Sequence, residues 1–289
     1  MDKKSTPAWD PRSEAVQQDQ IAAYDDMRRQ CPVAHSSYLN WSLFRHEDVM
    51  RALHDPATYS NAVSSHLAVP SGMDPPQHTA YRRIIDPYFS EQRMQAFEPA
   101  CRAIAAQLVD SLPQAGATEF MTALAEDYAV RVQSAFLGWP ETLHEPLRRW
   151  TRKNHAATLA RDRAAMEAVA LEFDGYIRDL LAARRGAGEG APADLTTSLL
   201  RERVGERLLN DEEIVSILRN WTVGELSTIA ASVGILAHYL AARPDVQQLL
   251  RERNDVLPLA IDEILRIHAP LISNRRVLTQ PVEIGGHHL

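Results

Sequence analysis

Two basic side chains, His78 and Arg82, stand four residues apart in the segment "DPPQHTAYRRII". On a helix this spacing places both on one face, where an imidazole and a guanidinium can bind an anion such as a carboxylate or a phosphate. Asp74 can cap such a helix, and Pro75 and Pro76 suit its first turn, which predicts a helix from about residue 75. The alternative is an ordinary basic face in contact with solvent.

An acid and a base, Glu263 and Arg266, stand three apart in "LAIDEILRIHAP". This spacing and order favour an intrahelical ion pair. The helix is apolar nearly all round, which is typical of a buried helix, and a buried ion pair is costly unless its hydrogen bonds are complete. The alternative is a surface pair that contributes little to stability.

A third set of polar residues, Gly224, Ser227 and Thr228, lies in the middle of a long apolar segment. Small residues allow a close approach to a helix, and hydroxyls can bend it. The pattern indicates a notch in the wall of a pocket, although glycine and serine also occur where two helices simply pack closely.

The elements that carry these residues are mainly helical. Asn210 or Asp211 as a cap and an Arg-Pro pair as a stop predict one helix over 211–242, about 48 Å long at 1.5 Å per residue. The helix of Glu263 and Arg266 ends before Pro270. The best candidates for strands are residues 38–46 and 280–286. The composition of residues 186–194 predicts an exposed loop.

Composition excludes several classes of function. The net charge of −7 gives no basic excess for nucleic acid, and the basic cluster at 147–155 is typical of a solvated helix face. The N-terminus lacks the apolar core of a secretory signal, and no apolar run reaches the ~18 residues of a membrane span. The two cysteines, Cys31 and Cys101, have no ligand-like spacing, which suits a reducing cytoplasm.

Taken in order, these segments resemble the cytochrome P-450 family of haem-thiolate monooxygenases in its soluble bacterial form. The resemblance runs through the whole chain, in "HEDVMRALHDPATYSN", "DPPQHTAYRRII", "VGELSTIAASVG", the E-x-x-R motif "EILR" and "RRVLTQPVEIGG". It implies a mainly α, P-450-like helical fold with a small β-sheet region. We expect a single domain over 1–289, incomplete at its C-terminal end.

The resemblance assigns roles to individual residues. His78 and Arg82 match the positions that bind one propionate of a haem b, and Arg276 matches the arginine that binds the other. Glu263 and Arg266 match a structural pair inside the haem-binding core. The catalytic positions, where dioxygen sits and protons are delivered, are matched by the residues Gly224, Ser227 and Thr228. The stretch 61–74 resembles the variable loop over the substrate pocket.

One departure from the family lies in the long helix. The family has an acid followed by threonine, and the positions matched to them here are Leu226 and Ser227. Leu226 cannot relay a proton, and Glu225 lies about 100° from it around the helix, so it is no obvious substitute. Leu226 therefore points to one of two alternatives: a proton route different from the family's, or a reaction other than ordinary hydroxylation.

The second departure concerns the iron. The family's axial cysteine lies in a loop well beyond E-x-x-R, and the chain given ends at Leu289. The apolar, helical surroundings of Cys101 are typical of a small core residue, and Cys31 lies near the start of the chain. We therefore expect no metal ligand in this chain. We therefore expect residues 1–289 alone to bind haem weakly, to be marginally stable and to lack activity.

Two functions remain open. The first is a haem monooxygenase that oxidises a small organic substrate with dioxygen and electrons from a ferredoxin or flavodoxin-type donor. The second is a truncated, haem-free paralogue or pseudogene product that acts, if at all, as a helical binding or interaction module. Neither implies nucleic acid or a membrane as a partner.

Overall fold

The computed structural model describes residues 9–289, which form a mainly helical protein with short strands, as predicted. The helices are α1 Glu14–Gln18, α2 Gln20–Gln30, α3 His46–His54, α4 Gln77–Ile85, α5 Glu91–Asp110, α6 Glu126–Leu137, α7 His144–Ala160, α8 Arg163–Ala187, α9 Leu195–Leu199, α10 Asp211–Ala242, α11 Pro244–Glu252 and α12 Leu257–Ile267. The strands are β1 Val33–Ser36, β2 Asn40–Leu43, β3 Tyr59–Ser60, β4 Arg203–Val204, β5 Arg207–Leu208, β6 Val277–Leu278, β7 Glu283–Ile284 and β8 His287–His288.

These elements group into two compact units. Of the described residues, the first unit contains 9–65, 72–75 and 273–289, and the second contains 66–71 and 76–272. The strands pair as antiparallel ribbons, β1 with β2, β3 with β6, β4 with β5, and β7 with β8. The candidate strands at 38–46 and 280–286 are therefore confirmed as β2 and β7.

The first unit has two small cores. In one, the ring of Trp9 packs edge-on against Phe44, with ring centroids 4.9 Å apart. In the other, Tyr59 of β3 and Ile284 of β7 are buried together with Val33 of β1. Residues distant in sequence thus hold β1, β3 and β7 together around one apolar cluster, because each contributes a buried side chain to it.

The second unit is built around α10, which has the predicted bounds. Its N-terminus carries a capping box, in which Asn210 accepts from the backbone N–H of Glu213 and Glu213 accepts from that of Asn210. The amide of Gln133 on α6 donates to the Trp221 carbonyl over 2.6 Å inside the unit. Further along, a Cβ on Gly234 would come within 2.4 Å of the Met121 sulfur, so glycine permits this close contact.

The same helix is long and apolar enough to cross a membrane by length and composition. The sequence-based expectation that no run is long enough was therefore wrong on length. One such helix is weak evidence for a membrane span, although only 11% of its 18-residue apolar window is buried among the described residues. The first half of α10 is buried in the second unit, including polar Ser216 and Thr222.

The predicted helix start at Pro75 is corrected by the structure. The helix α4 begins at Gln77 and has no side-chain cap. Asp74 instead accepts hydrogen bonds from the backbone N–H of Asn61, 2.9 Å away, and from the hydroxyl of Ser60. A carboxylate engaged by these two residues is not available to the first turn of α4.

Candidate functional site

The basic face predicted on α4 exists. His78 and Arg82 lie four residues apart within the helix, with His78 half-buried and Arg82 exposed. The guanidinium of Arg82 pairs with the carboxylate of Asp86 over 2.6 Å, and both side chains are about half exposed. Exposed pairs of this kind are weak. An anionic ligand that reaches this face can therefore compete with Asp86 for Arg82.

The buried flank of α4, next to the basic face, is anchored by a polar contact that the sequence did not reveal. The hydroxyl of Tyr81 donates to Glu213, in the first turn of α10. Both nitrogens of the Arg207 guanidinium fork donate to the same carboxylate, over 2.6 and 2.8 Å. These hydrogen bonds, chiefly those from Arg207, lower the pKa of Glu213 to about 2, against the opposing effect of burial.

A second tyrosine anchors the 3-10 turn Asp86–Phe89 that follows α4. The hydroxyl of Tyr88 donates to a carboxylate oxygen of Glu202 over 2.6 Å. Burial, followed by the contact with Glu202, raises the pKa of Tyr88, so this side chain remains a hydrogen-bond donor over the working pH range.

The notch on α10 is open. A Cβ added at Gly224 would meet no atom within 4 Å, so close packing against another described helix does not account for the glycine. The hydroxyl of Thr228 donates to the Gly224 carbonyl over 2.9 Å, one turn earlier, and Ser227 is exposed beside it. A free volume and a hydroxyl thus lie on the same face of the helix.

The residues next to this notch differ in burial. Leu226 is only 2% exposed and points into the core, away from the open face. Glu225 precedes Thr228 by three residues, so the two lie near one another on the helix surface. Desolvation raises the pKa of Glu225, and among residues 9–289 its carboxylate has no hydrogen bond or ion pair.

The loop predicted over 61–74 is divided between the units. Its two ends are joined within the first unit, where Asp74 accepts from Asn61. Its middle, 66–71, lies along α10 in the second unit. There the backbone N–H of Val69 donates to the Ser216 hydroxyl over 2.8 Å, and the Asn220 amide donates to the Val69 carbonyl over 3.0 Å.

The predicted pair of Glu263 and Arg266 forms, but it is not buried. The guanidinium donates to both carboxylate oxygens, over 2.7 and 2.8 Å. The two side chains are 58% and 68% exposed, and Ile264 is the buried residue of α12. The expectation of a buried pair was wrong for the described residues, because the apolar neighbour Leu259 is itself 71% exposed.

Arg276 belongs to the first unit and precedes β6 directly. Its guanidinium donates to the Asn274 side chain over 3.2 Å and to the Arg275 carbonyl over 2.7 Å. Its positive charge also contributes to the lowered pKa of Asp74. The side chain is half-buried and retains donors for an anion.

Neither cysteine has the character of a metal ligand. Burial raises the pKa of both Cys31 and Cys101, which disfavours the thiolate that binds iron. In the part of the chain that the structure describes, no three His, Cys, Asp or Glu side chains are grouped as metal ligands. The thiols of both cysteines are therefore held in the protonated form, which binds a metal poorly.

Comparison with known proteins identifies the relatives of this chain. It is 30% identical over 255 residues to a probable cytochrome P450 127A1 of Sinorhizobium fredii, covering 85% of this chain and 60% of that protein. It is 31% identical over 264 residues to the nocardicin C N-oxygenase of Nocardia uniformis, covering 85% of this chain and 64% of that protein. No protein-family model matches the chain.

The fold shows the same relationship. The solved structure of the ligand-free cytochrome P450 TbtJ1 superposes with a TM-score of 0.81 at 26% identity. That alignment covers 96% of this chain and 73% of the other. The chain thus has the cytochrome P450 fold and spans less than two thirds of the length of the two curated relatives named above.

Proposed function

We propose that this chain, which belongs with the bacterial cytochromes P450 by sequence similarity and by fold, supplies the propionate-binding and oxygen-binding residues of a haem monooxygenase. The observation that carries the proposal is the open face of α10 at Gly224, where free space adjoins the hydroxyl of Thr228. Close packing against another described element does not explain this glycine, because a Cβ added there would meet no atom within 4 Å.

The haem b implied by the family supplies the iron at which dioxygen is activated. The chain's own residues hold and orient it. His78 and Arg82 would bind a haem carboxylate from α4, where the exposed pair of Arg82 with Asp86 is weak enough to be displaced. The half-buried guanidinium of Arg276 is a further group that would suit a carboxylate.

Thr228, rather than Ser227, is the hydroxyl of the oxygen site. Its side chain shares a face with Gly224 and is already oriented by the hydrogen bond to the Gly224 carbonyl. With Leu226 turned into the core, no proton passes through that position. Water admitted at the open face, with Thr228 as donor and acceptor, provides the proton route.

The substrate is a small organic molecule, and the electrons come from a ferredoxin or flavodoxin-type protein in the cytoplasm. Support for the substrate class comes from relatives such as the nocardicin C N-oxygenase, whose name describes oxidation of a small molecule. The segment 66–71, which is bonded to α10, influences which substrate is accepted because it lies beside the open helix.

A carbon monoxide difference spectrum tests this function. Residues 1–289, loaded with haem and reduced, are expected to lack the red-shifted band of a thiolate-bound haem, because the thiols of Cys31 and Cys101 resist ionisation. The product of the coding sequence read beyond residue 289 is expected to show the band. Failure of that longer product to bind haem would contradict the proposal and favour a haem-free binding module.

A further inference from the structure

We propose that Glu213 is a positioning residue, which holds α4 in the orientation in which His78 and Arg82 bind a haem carboxylate. The role rests on the proposed function. It assigns to a buried side chain on α10 an effect on haem binding by a different helix.

The link between the two helices is short and buried. Tyr81 lies between His78 and Arg82 in the sequence and is 7% exposed, with its side chain on the buried flank of the basic face. Its hydroxyl donates to Oε1 of Glu213, which is 5% exposed. A rotation of α4 about its axis would break this bond, so the bond fixes the direction of the basic face.

Glu213 is itself held rigidly. Oε1 also accepts from Nη2 of Arg207 over 2.6 Å, and Oε2 accepts from Nη1 over 2.8 Å. Oε2 further accepts from the backbone N–H of Asn210 over 2.8 Å, as half of the capping box. Its negative charge also lies in the first turn of α10, where the helix dipole favours an anion. With both oxygens engaged, the carboxylate offers Tyr81 a fixed acceptor.

The strand β5 contributes to holding Glu213 in place. Arg207 lies on β5, which pairs with β4, and its guanidinium forms the ion pair with Glu213. The pKa of Tyr81 is raised, first by burial and then by Glu213, which keeps its hydroxyl protonated. Donor and acceptor thus persist together over a wide pH range.

The variant Tyr81→Phe isolates this link, since it removes one hydroxyl and leaves Arg207 and the capping box in place. Tyr88→Phe is the matched control, because it removes an equivalent bond, to Glu202, from the turn beyond α4. Each variant is titrated with haem and with haem dimethyl ester, whose carboxylates are blocked. Amide hydrogen exchange of α4 is measured in parallel.

We expect Tyr81→Phe to lower the preference for free haem over the ester about tenfold, in line with a lost hydrogen bond to a charged group. Exchange in α4 should accelerate, while Tyr88→Phe keeps the wild-type preference. Equal effects of the two variants, or an unchanged preference in Tyr81→Phe, would overturn the positioning role of Glu213 and leave the proposed function unaffected. If the wild-type chain itself shows no preference for free haem, the proposed function fails together with this role.

Discussion

Arg266 donates two hydrogen bonds to Glu263, of 2.7 and 2.8 Å, on the exposed surface of α12. The pair has the geometry that the spacing predicts, since residues three apart on a helix face each other. Its surroundings differ from those expected, because both side chains are more than half exposed. An ion pair in water is screened and contributes little to stability, however regular its geometry.

Glu263→Ala is accordingly expected to leave the urea midpoint of unfolding of residues 1–289 unchanged. The double variant with Arg266→Ala should show no coupling between the two changes. A buried pair behaves differently, since loss of one partner leaves an uncompensated charge. A clear drop in the midpoint on removing Glu263 would show that the pair is buried in solution.

A second prediction concerns Glu213. Its pKa in the folded chain is about 2, below the value of 4.5 in an unfolded chain, so it stabilises the fold above about pH 4.5. This contribution is lost as the pH falls from 4.5 towards 2. We expect roughly 2 kcal/mol, since Arg207 is half exposed and its charge is partly screened.

Urea unfolding of the wild type and of Glu213→Gln, from neutral pH down to about pH 3, measures this effect. The two curves should converge as the pH falls. Glu212→Gln is the matched control, because Glu212 is the exposed neighbour that pairs with Arg178. A constant gap between wild type and Glu213→Gln at all pH values would contradict the lowered pKa.

Glu225 should show the opposite dependence. Desolvation raises its pKa, so the folded chain binds a proton more readily than the unfolded chain, and stability falls as the pH rises through the carboxyl range. Glu225→Gln removes this cost and should therefore be slightly more stable than the wild type at neutral pH, by a small margin because the residue is also exposed to solvent. The advantage should vanish in acid, where Glu225 is protonated. Equal unfolding midpoints at neutral pH would argue against desolvation of this carboxylate.

Thr228 and Ser227 can be distinguished in the haem-loaded longer product. Thr228→Ala removes the hydroxyl that is oriented towards Gly224, and we expect it to increase hydrogen peroxide release per electron consumed by about tenfold. Ser227→Ala removes an adjacent hydroxyl and should change this ratio little. The reverse order of effects would place the oxygen site at Ser227.

Local signals in the sequence were sufficient for the long helix and for the ion-pair spacing. Asn210 and the Arg-Pro stop define α10 because caps act within a few residues of the helix end. The start of α4 was predicted two residues early, because Asp74 bonds to Asn61, thirteen residues away, instead of to its own helix. A local motif cannot reveal which distant donor forms a hydrogen bond with the carboxylate of Asp74 in the folded chain.

Burial and long-range contacts could not be predicted from the neighbouring residues in the sequence. Apolar residues such as Leu259 surround Glu263 in sequence, but burial depends on which other segments cover the helix. Tyr81 and Glu213 lie 132 residues apart, and nothing near either residue indicates the other. The candidate site was therefore predictable as a set of residues, whereas the contacts that hold α4 required the structure.

The central claim is that the basic face of α4 binds a haem carboxylate, and the most direct test is the affinity of residues 1–289 for free haem relative to haem dimethyl ester. Wild type should prefer the free acid. His78→Ala combined with Arg82→Ala should reduce the preference strongly, leaving only what Arg276 contributes, whereas Arg83→Ala, at the next and exposed position, should retain it in full. Equal affinity of the wild-type chain for the acid and the ester would contradict the account.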